Sequence, residues 1–81
     1  MVPYKKINAK PWIGYIAAKV RRYGERMAIL GLQHALRISP TGVFDERTIC
    51  SLNRLTSKRY IAYVKSQADC FWQKNMRRLQ K

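Results

Sequence analysis

Few side chains of this sequence have the chemistry for nucleophilic catalysis or metal binding. The chain has one histidine, His34, and two cysteines, Cys50 and Cys70. Structural zinc sites use Cys and His at short spacings, and these three residues are too scattered to match that pattern. A nucleophilic pair of either cysteine with His34 stays open as a minor alternative. We therefore expect no metal site.

The four acidic residues are better explained by structure than by catalysis. Most glycosidases need two carboxyl groups on opposite sides of the scissile bond. Here Asp45 stands at a predicted N-cap, Glu25 and Glu46 lie near predicted helix starts, and Asp69 lies inside a predicted helix. We therefore expect no enzymatic activity and no cofactor.

The composition is strongly basic. Lys and Arg number 17 against 4 Asp and Glu, which gives a formal net charge of +13 on 81 residues. Such a field attracts polyanions broadly, including nucleic acid, anionic lipid and cell-wall polymers. Alternatively, each basic cluster is part of an ordinary solvated helix face and binds nothing. The candidate polyanion-binding residues are Lys5, Lys6, Arg21, Arg22, Arg77 and Arg78.

The sequence indicates no targeting or membrane segment. Residues 1–10 lack an apolar stretch of signal-peptide length, because Lys5, Lys6 and Lys10 interrupt them. No run approaches the roughly 20 apolar residues that a transmembrane helix needs. We expect synthesis in the cytoplasm without a signal peptide.

Apolar spacing predicts an all-α fold, a single small bundle of about four helices with a basic N-terminal arm. Residues 1–10 are predicted to be an extended arm, because Pro3 and Pro11 oppose a helix that starts before Pro11. Residues 11–81 form the helical domain. Its predicted helices run from Trp12 to Gly24, Glu25 to about Arg37, Asp45 to Leu55 and about Lys58 to Leu79.

Several local signals refine these elements. Asp45 is predicted to cap the third helix, with Phe44 and Ile49 in the positions of a hydrophobic staple. Gly31 lies inside the second helix, where glycine usually marks close contact with another helix. The cysteines have apolar neighbours and are predicted to be buried thiols, with a single disulfide left open.

A helix–loop–helix pattern runs from Leu32 to Asn53. Leu32-Gln33-His34-Ala35-Leu36 matches the pattern L-Q-x-A-L, residues 41–48 match a loop of the form D-G-x-x-G-P-x-T, and Leu52-Asn53 matches a final L-N. The pattern resembles the small helical peptidoglycan-binding domain found C-terminal to phage and bacterial muramidases, as in endolysin-like and secretion-activator proteins. It covers residues 28–54 well and extends more loosely to Leu79.

The resemblance implies a ligand-binding groove around the loop. Its candidate residues are Gln33, Thr41, Gly42, Arg47 and Asn53, whose amides and guanidinium suit glycan or stem-peptide groups. The alternative is that Gln33, Gly42, Thr48 and Asn53 only build the loop and its caps. Thr41 stands where the family usually has Asp, and Asp45-Glu46 stands in place of the usual Gly-Pro. Both changes preserve a helix start, so the resemblance implies the family's fold more strongly than its ligand-binding groove.

Aromatic residues enter both binding hypotheses. Tyr60 or Trp72 would stack on a sugar face, although both fit the core better. Tyr4 and Trp12 would stack on exposed bases if the chain binds nucleic acid. The third helix follows a short turn, as in a helix-turn-helix, but its N-terminal end carries Asp45 and Glu46, which repel phosphate.

The sequence therefore favours a non-catalytic module, phage-derived and related to endolysin-associated domains, that binds peptidoglycan or another anionic cell-wall polymer. It would act at the bacterial cell wall. The alternative is a small basic phage-type protein in the cytoplasm that binds nucleic acid, or that inhibits a nucleic-acid-binding or acidic host protein.

Overall fold

Four α-helices and one short 3₁₀ turn make up the regular structure of the described part of the chain. We describe residues 2–79 of a computed structural model, and the side chains of residues 2–75. The described part contains no strand, so the prediction of an all-α fold is confirmed. The elements are the turn Tyr4–Lys6 and the helices α1 (Lys10–Tyr23), α2 (Glu25–Leu36), α3 (Glu46–Asn53) and α4 (Lys58–Leu79).

Helix α2 is the central element, and it contacts each of the other three helices. Its buried residues include Ala28, Ile29, Leu32 and Ala35, which face α1, α3 and α4 in one shared core. Gly31 allows α4 to approach closely, because a Cβ at this position would overlap the indole ring of Trp72. The prediction that Gly31 marks close helix contact is confirmed.

The helix boundaries follow local signals. Gly24 adopts a φ of 91° between α1 and α2, and Arg37 ends α2 in the left-handed region at φ 59°. Asp45 caps α3, since its Oδ1 accepts from the Thr48 backbone N–H at 3.0 Å. Phe44 and Ile49 are both buried on either side of this cap, as a hydrophobic staple requires.

The N-terminal segment corrects the prediction of an extended arm. Tyr4–Lys6 forms a 3₁₀ turn, which brings Val2 and Ile7 into the core, where they are 4% and 5% exposed. Asn53 holds the segment in place. Its Oδ1 accepts from the Asn8 backbone N–H, and its Nδ2 donates to the Lys6 carbonyl, both at 2.9 Å. Pro3 and Pro11 predicted an extended arm, but burial of the apolar pair Val2 and Ile7 accompanies a turn instead.

The two cysteines correct a second prediction. Both are exposed free thiols rather than buried ones. On α3 the inward positions belong to Ile49 and Leu52, and on α4 they belong to Ala68 and Trp72. At about 100° per residue, Cys50 and Cys70 therefore point away from the core. No helix among residues 2–79 combines the length and apolarity needed to cross a membrane.

Candidate functional site

The Gln33 side chain lies at the centre of the loop between α2 and α3 and is fully buried. Its Nε2 lies 2.9 Å from the Val43 carbonyl, 3.0 Å from Thr48 Oγ1 and 3.1 Å from Thr41 Oγ1. Its Oε1 accepts from the Gly42 backbone N–H at 3.0 Å. Both ends of the amide are occupied by the loop, so the assignment of Gln33 to a ligand-binding groove is wrong.

Gly42 also serves the loop rather than a ligand. Its φ of 79° lies in the region that favours glycine, and its N–H is used by Gln33. A Cβ here would lie 3.2 Å from Cγ of Arg26, whose side chain extends from α2 along the loop. The N–H and the conformation of Gly42 are therefore used by the loop, and its role as a ligand contact stays a prediction.

Thr48 continues the network from the core to the N-cap of α3. Its hydroxyl lies 3.0 Å from Gln33 Nε2 and donates to Asp45 Oδ1 at 2.9 Å. The Thr48 backbone N–H and then its hydroxyl lower the pKa of Asp45, with a smaller contribution from the charge of Arg47. Gln33, Thr48 and Asp45 thus form one continuous hydrogen-bonded chain, and the structural interpretation of these motif residues is confirmed.

Asn53 lies away from this network. Its amide oxygen and nitrogen both bind the backbone of the N-terminal segment, at Asn8 and Lys6. The structure therefore does not bring Asn53 into a groove with Gln33, and its assignment as a ligand in that groove is wrong.

We define the loop rim as three of the exposed residues of the loop and the first turn of α3, namely Thr41, Val43 and Arg47. Val43 is 63% exposed, which is unusual for an aliphatic side chain in a structured loop. The hydroxyl of Thr41 is engaged by Gln33 and by the backbone of Val43, so its methyl group is the part left to contact a ligand. Of the predicted groove residues, Thr41 and Arg47 are exposed, Gly42 and Asn53 are partly exposed, and Gln33 is buried.

The predicted polyanion-binding residues that are described lie on the surface. Lys5, Lys6, Arg21 and Arg22 are all exposed. Lys6 Nζ lies 3.5 Å from Glu46 Oε1 in an exposed ion pair. The positive charge of Lys6 therefore partly offsets the negative charge of Glu46 at the start of α3. The side chains of Arg77 and Arg78 lie outside the described part.

The aromatic side chains that are exposed are not the ones that the sequence hypotheses assigned to ligand binding, apart from Tyr60. Trp12 and Trp72 are each only 1% exposed, so neither can stack on a base or a sugar. Tyr4 is half-buried. Tyr60 is 63% exposed and Tyr63 is 48% exposed, and their spacing of three places them on one face of α4. Tyr63 was not singled out from the sequence.

A charged and aromatic cluster between α1 and α4 was also missed from the sequence. The Tyr15 hydroxyl donates to Asp69 Oδ1 at 2.8 Å, and Lys19 Nζ lies 3.4 Å from the same oxygen. Burial and then this hydrogen bond raise the pKa of Tyr15. Lys65 Nζ lies 5.0 Å from the centre of the Tyr15 ring. The arrangement fastens α1 to α4 and explains Asp69 as an interhelical partner.

No group of three or more His, Cys, Asp or Glu side chains within the described residues is placed to hold a metal ion. The His34 ring lies 5.0 Å from the Phe71 ring in a tilted contact.

Comparison with protein-family models, curated proteins and solved structures found no match to this chain. The resemblance to the peptidoglycan-binding domain therefore rests on the residue pattern of the helix–loop–helix alone.

Proposed function

We propose that this chain is a non-catalytic module that binds the bacterial cell wall. The observation that supports this function is that motif residues far apart in the sequence contact one another. Gln33, Gly42 and Thr48 form a single hydrogen-bonded network that defines the loop. A loop built this way is rigid, and it displays the loop rim in one conformation.

Two kinds of contact would act together in binding. The positive charge concentrates the chain on an anionic wall at long range. At short range, Val43 covers an apolar part of the glycan or peptide, and Arg47 pairs with a stem-peptide carboxylate. Because the loop is already ordered, little conformational entropy is lost on binding. By the resemblance, such a module is phage-derived and endolysin-related, and it acts at the wall.

Co-sedimentation with purified peptidoglycan sacculi tests this function. Binding should persist at high salt and in the presence of competing duplex DNA. Arg47→Ala should weaken it, while Arg21→Ala, which removes the same charge from an exposed position on α1, should leave the salt-resistant fraction unchanged. Equal losses from the two variants, or complete loss at high salt, would mean that charge alone is responsible.

The alternative function is binding to single-stranded nucleic acid, or to a host protein that binds it. The exposed pair Tyr60 and Tyr63 favours this alternative, because exposed aromatic side chains on a basic helix can stack on bases. Lys58 and Arg59 are exposed beside them. Fluorescence anisotropy with a labelled oligonucleotide would detect this activity. Loss of that binding in Tyr60→Ala and Tyr63→Ala, with sacculus binding absent, would replace the first proposal.

A further inference from the structure

A cleft of about 320 Å³ lies where the N-terminal segment meets the end of α3 and the start of α4. This volume is at the small end of the range for ligand sites. The cleft is distinct from the loop rim, and we call it the N-terminal cleft. Its lining residues are Asn8, Ala9, Leu52, Asn53, Leu55, Thr56 and Ile61.

The walls of the N-terminal cleft are held in place before any ligand arrives. Leu52 is 1% exposed and belongs to the core, with Leu55 and Ile61 packed beside it. Asn53 fastens the N-terminal segment to the end of α3 through its two hydrogen bonds. Three separate chain segments therefore meet with little freedom to move.

Two polar side chains of the lining are left for a ligand. The Asn8 amide and the Thr56 hydroxyl make no hydrogen bond within the described residues, and both residues are exposed. An amide supplies a donor and an acceptor, and a hydroxyl supplies both. Beside an apolar wall, this set matches an N-acetyl or peptide group, which combines a small methyl with an amide.

The sequence that flanks the lining residues is basic. Lys10 follows Ala9 and Arg54 follows Asn53 directly, Lys58 lies two residues after Thr56, and all three are exposed. Residues 1–24 and 47–68, which supply the whole lining, contain no Asp or Glu. A ligand that carries a carboxylate is therefore complementary to the cleft, and a cationic ligand is not.

We propose that the N-terminal cleft binds the N-acetylmuramyl-peptide unit of the wall, with its acyl-amide group against the apolar wall and its carboxylate toward the cations. This assignment rests on the cell-wall function proposed above and adds a second contact point to the loop rim. Two points on one polymer would raise the effective affinity without any change at either site.

The probe is muramyl dipeptide, N-acetylmuramyl-L-alanyl-D-isoglutamine, added to the full chain and followed by ¹H–¹⁵N NMR. The expected result is a saturable shift of the backbone amides of Asn8, Leu55 and Thr56. The double variant Asn8→Leu/Thr56→Val keeps the Asn8 backbone N–H and should bind roughly tenfold more weakly, because two ligand hydrogen bonds are removed. Ser66→Ala, an exposed hydroxyl of α4 outside the cleft, is the matched control.

Charge recognition is tested with N,N′-diacetylchitobiose, which has the acetamido groups but no carboxylate. It should bind more weakly than muramyl dipeptide, and the difference should shrink as salt is added. Equal binding of the two probes would overturn the assignment of the cations.

The sacculus assay separates failure of the cleft from failure of the function. If the wild-type chain sediments at high salt but muramyl dipeptide shifts no cleft amide, or binds the double variant equally well, the cleft assignment is wrong and the wall function stands. If the chain neither sediments nor responds to muramyl dipeptide, both are wrong. An unchanged thermal melt of the double variant shows that its fold is intact.

Discussion

The α2–α3 loop and the N-terminal cleft are both built from amide and hydroxyl side chains, and they use them in opposite ways. In the loop, Gln33 and Thr48 are fully buried and hydrogen-bonded to the chain. In the cleft, Asn8 and Thr56 are exposed, and their side chains make no bond within the described residues. Gln33 and Thr48 thus build the loop, whereas the side chains of Asn8 and Thr56 have no such structural role.

The contrast between the two regions predicts that mutations in the loop lower the stability more than mutations in the cleft. The largest loss is expected at Gln33. Gln33→Leu would leave the Gly42 N–H without its partner and would remove the bonds of the amide to the Val43 carbonyl and the Thr48 hydroxyl, so we expect the free energy of unfolding to fall by roughly 2–4 kcal/mol. Urea denaturation followed by circular dichroism measures this loss. A loss below about 0.5 kcal/mol would contradict the role of Gln33 as the centre of the loop.

The next largest loss of stability is expected at Gly31, which lies on the same helix as Gln33. Gly31→Ala places a methyl group against the Trp72 indole, so we expect a loss of about 1–3 kcal/mol from overpacking. Gly14→Ala is the control, because a Cβ there meets nothing within 4 Å. Replacing that helical glycine should stabilise the chain by about 0.5–1 kcal/mol. Equal responses at the two glycines would argue against the close approach of α2 and α4.

Asn53 links the two regions, since it is the last residue of the motif and also lines the cleft. Asn53→Ala removes both hydrogen bonds to the N-terminal segment, and the expected loss is about 1–2 kcal/mol. The segment should also become more open to amide hydrogen exchange at Asn8, while Gly42 in the loop stays protected. Similar exchange at both amides would mean that the two regions are not independent.

The loop network should also respond to pH through Asp45. Its pKa is lowered in the folded chain, so its stabilising contribution is complete above the unfolded value of 3.8. That contribution is lost as the pH falls through the lower folded pKa. Asp45→Asn keeps an N-cap side chain without the charge, and its melting temperature should approach that of the wild type in acid. A constant difference from pH 7 to pH 2 would contradict this role.

The smallest effect on stability is expected in the cleft. Asn8→Leu changes an exposed side chain and keeps the backbone N–H that binds Asn53, so the free energy of unfolding should change by less than about 0.5 kcal/mol. Thermal denaturation of Asn8→Leu and of Gln33→Leu under the same conditions compares the two changes in stability directly. A large loss at Asn8 would remove the distinction between a structural loop and an accessible cleft.

Most helix boundaries could be predicted from the sequence because they depend on near neighbours. The start of α1 is an exception, since the helix begins at Lys10, before Pro11, which lies in the first turn where proline is tolerated. Gly24 separates α1 from α2, and Asp45 reaches the N–H three residues ahead of it. Lys58 begins α4 directly after Thr56 and Ser57, as predicted. Each signal acts within one turn of the chain, so no knowledge of the tertiary contacts is needed.

The candidate site could be predicted only in part. The motif located the loop between α2 and α3, on whose rim Arg47 is exposed. Which face Gln33 presents depends on the three acceptors that surround it, and these come from the loop and from α3. A polar residue near a loop has the same sequence signature whether it faces solvent or the interior.

By itself, the sequence determined the helical class, the caps and breaks between helices, and the excess of positive charge. These properties follow from backbone preferences and composition, which do not depend on distant residues. Only the tertiary structure decided that Val2 and Ile7 join the core, that Trp12 is covered, and that both cysteines face outward. Burial depends on residues that come into contact only when the chain folds. The surface that remains accessible to a ligand is therefore set by the tertiary structure.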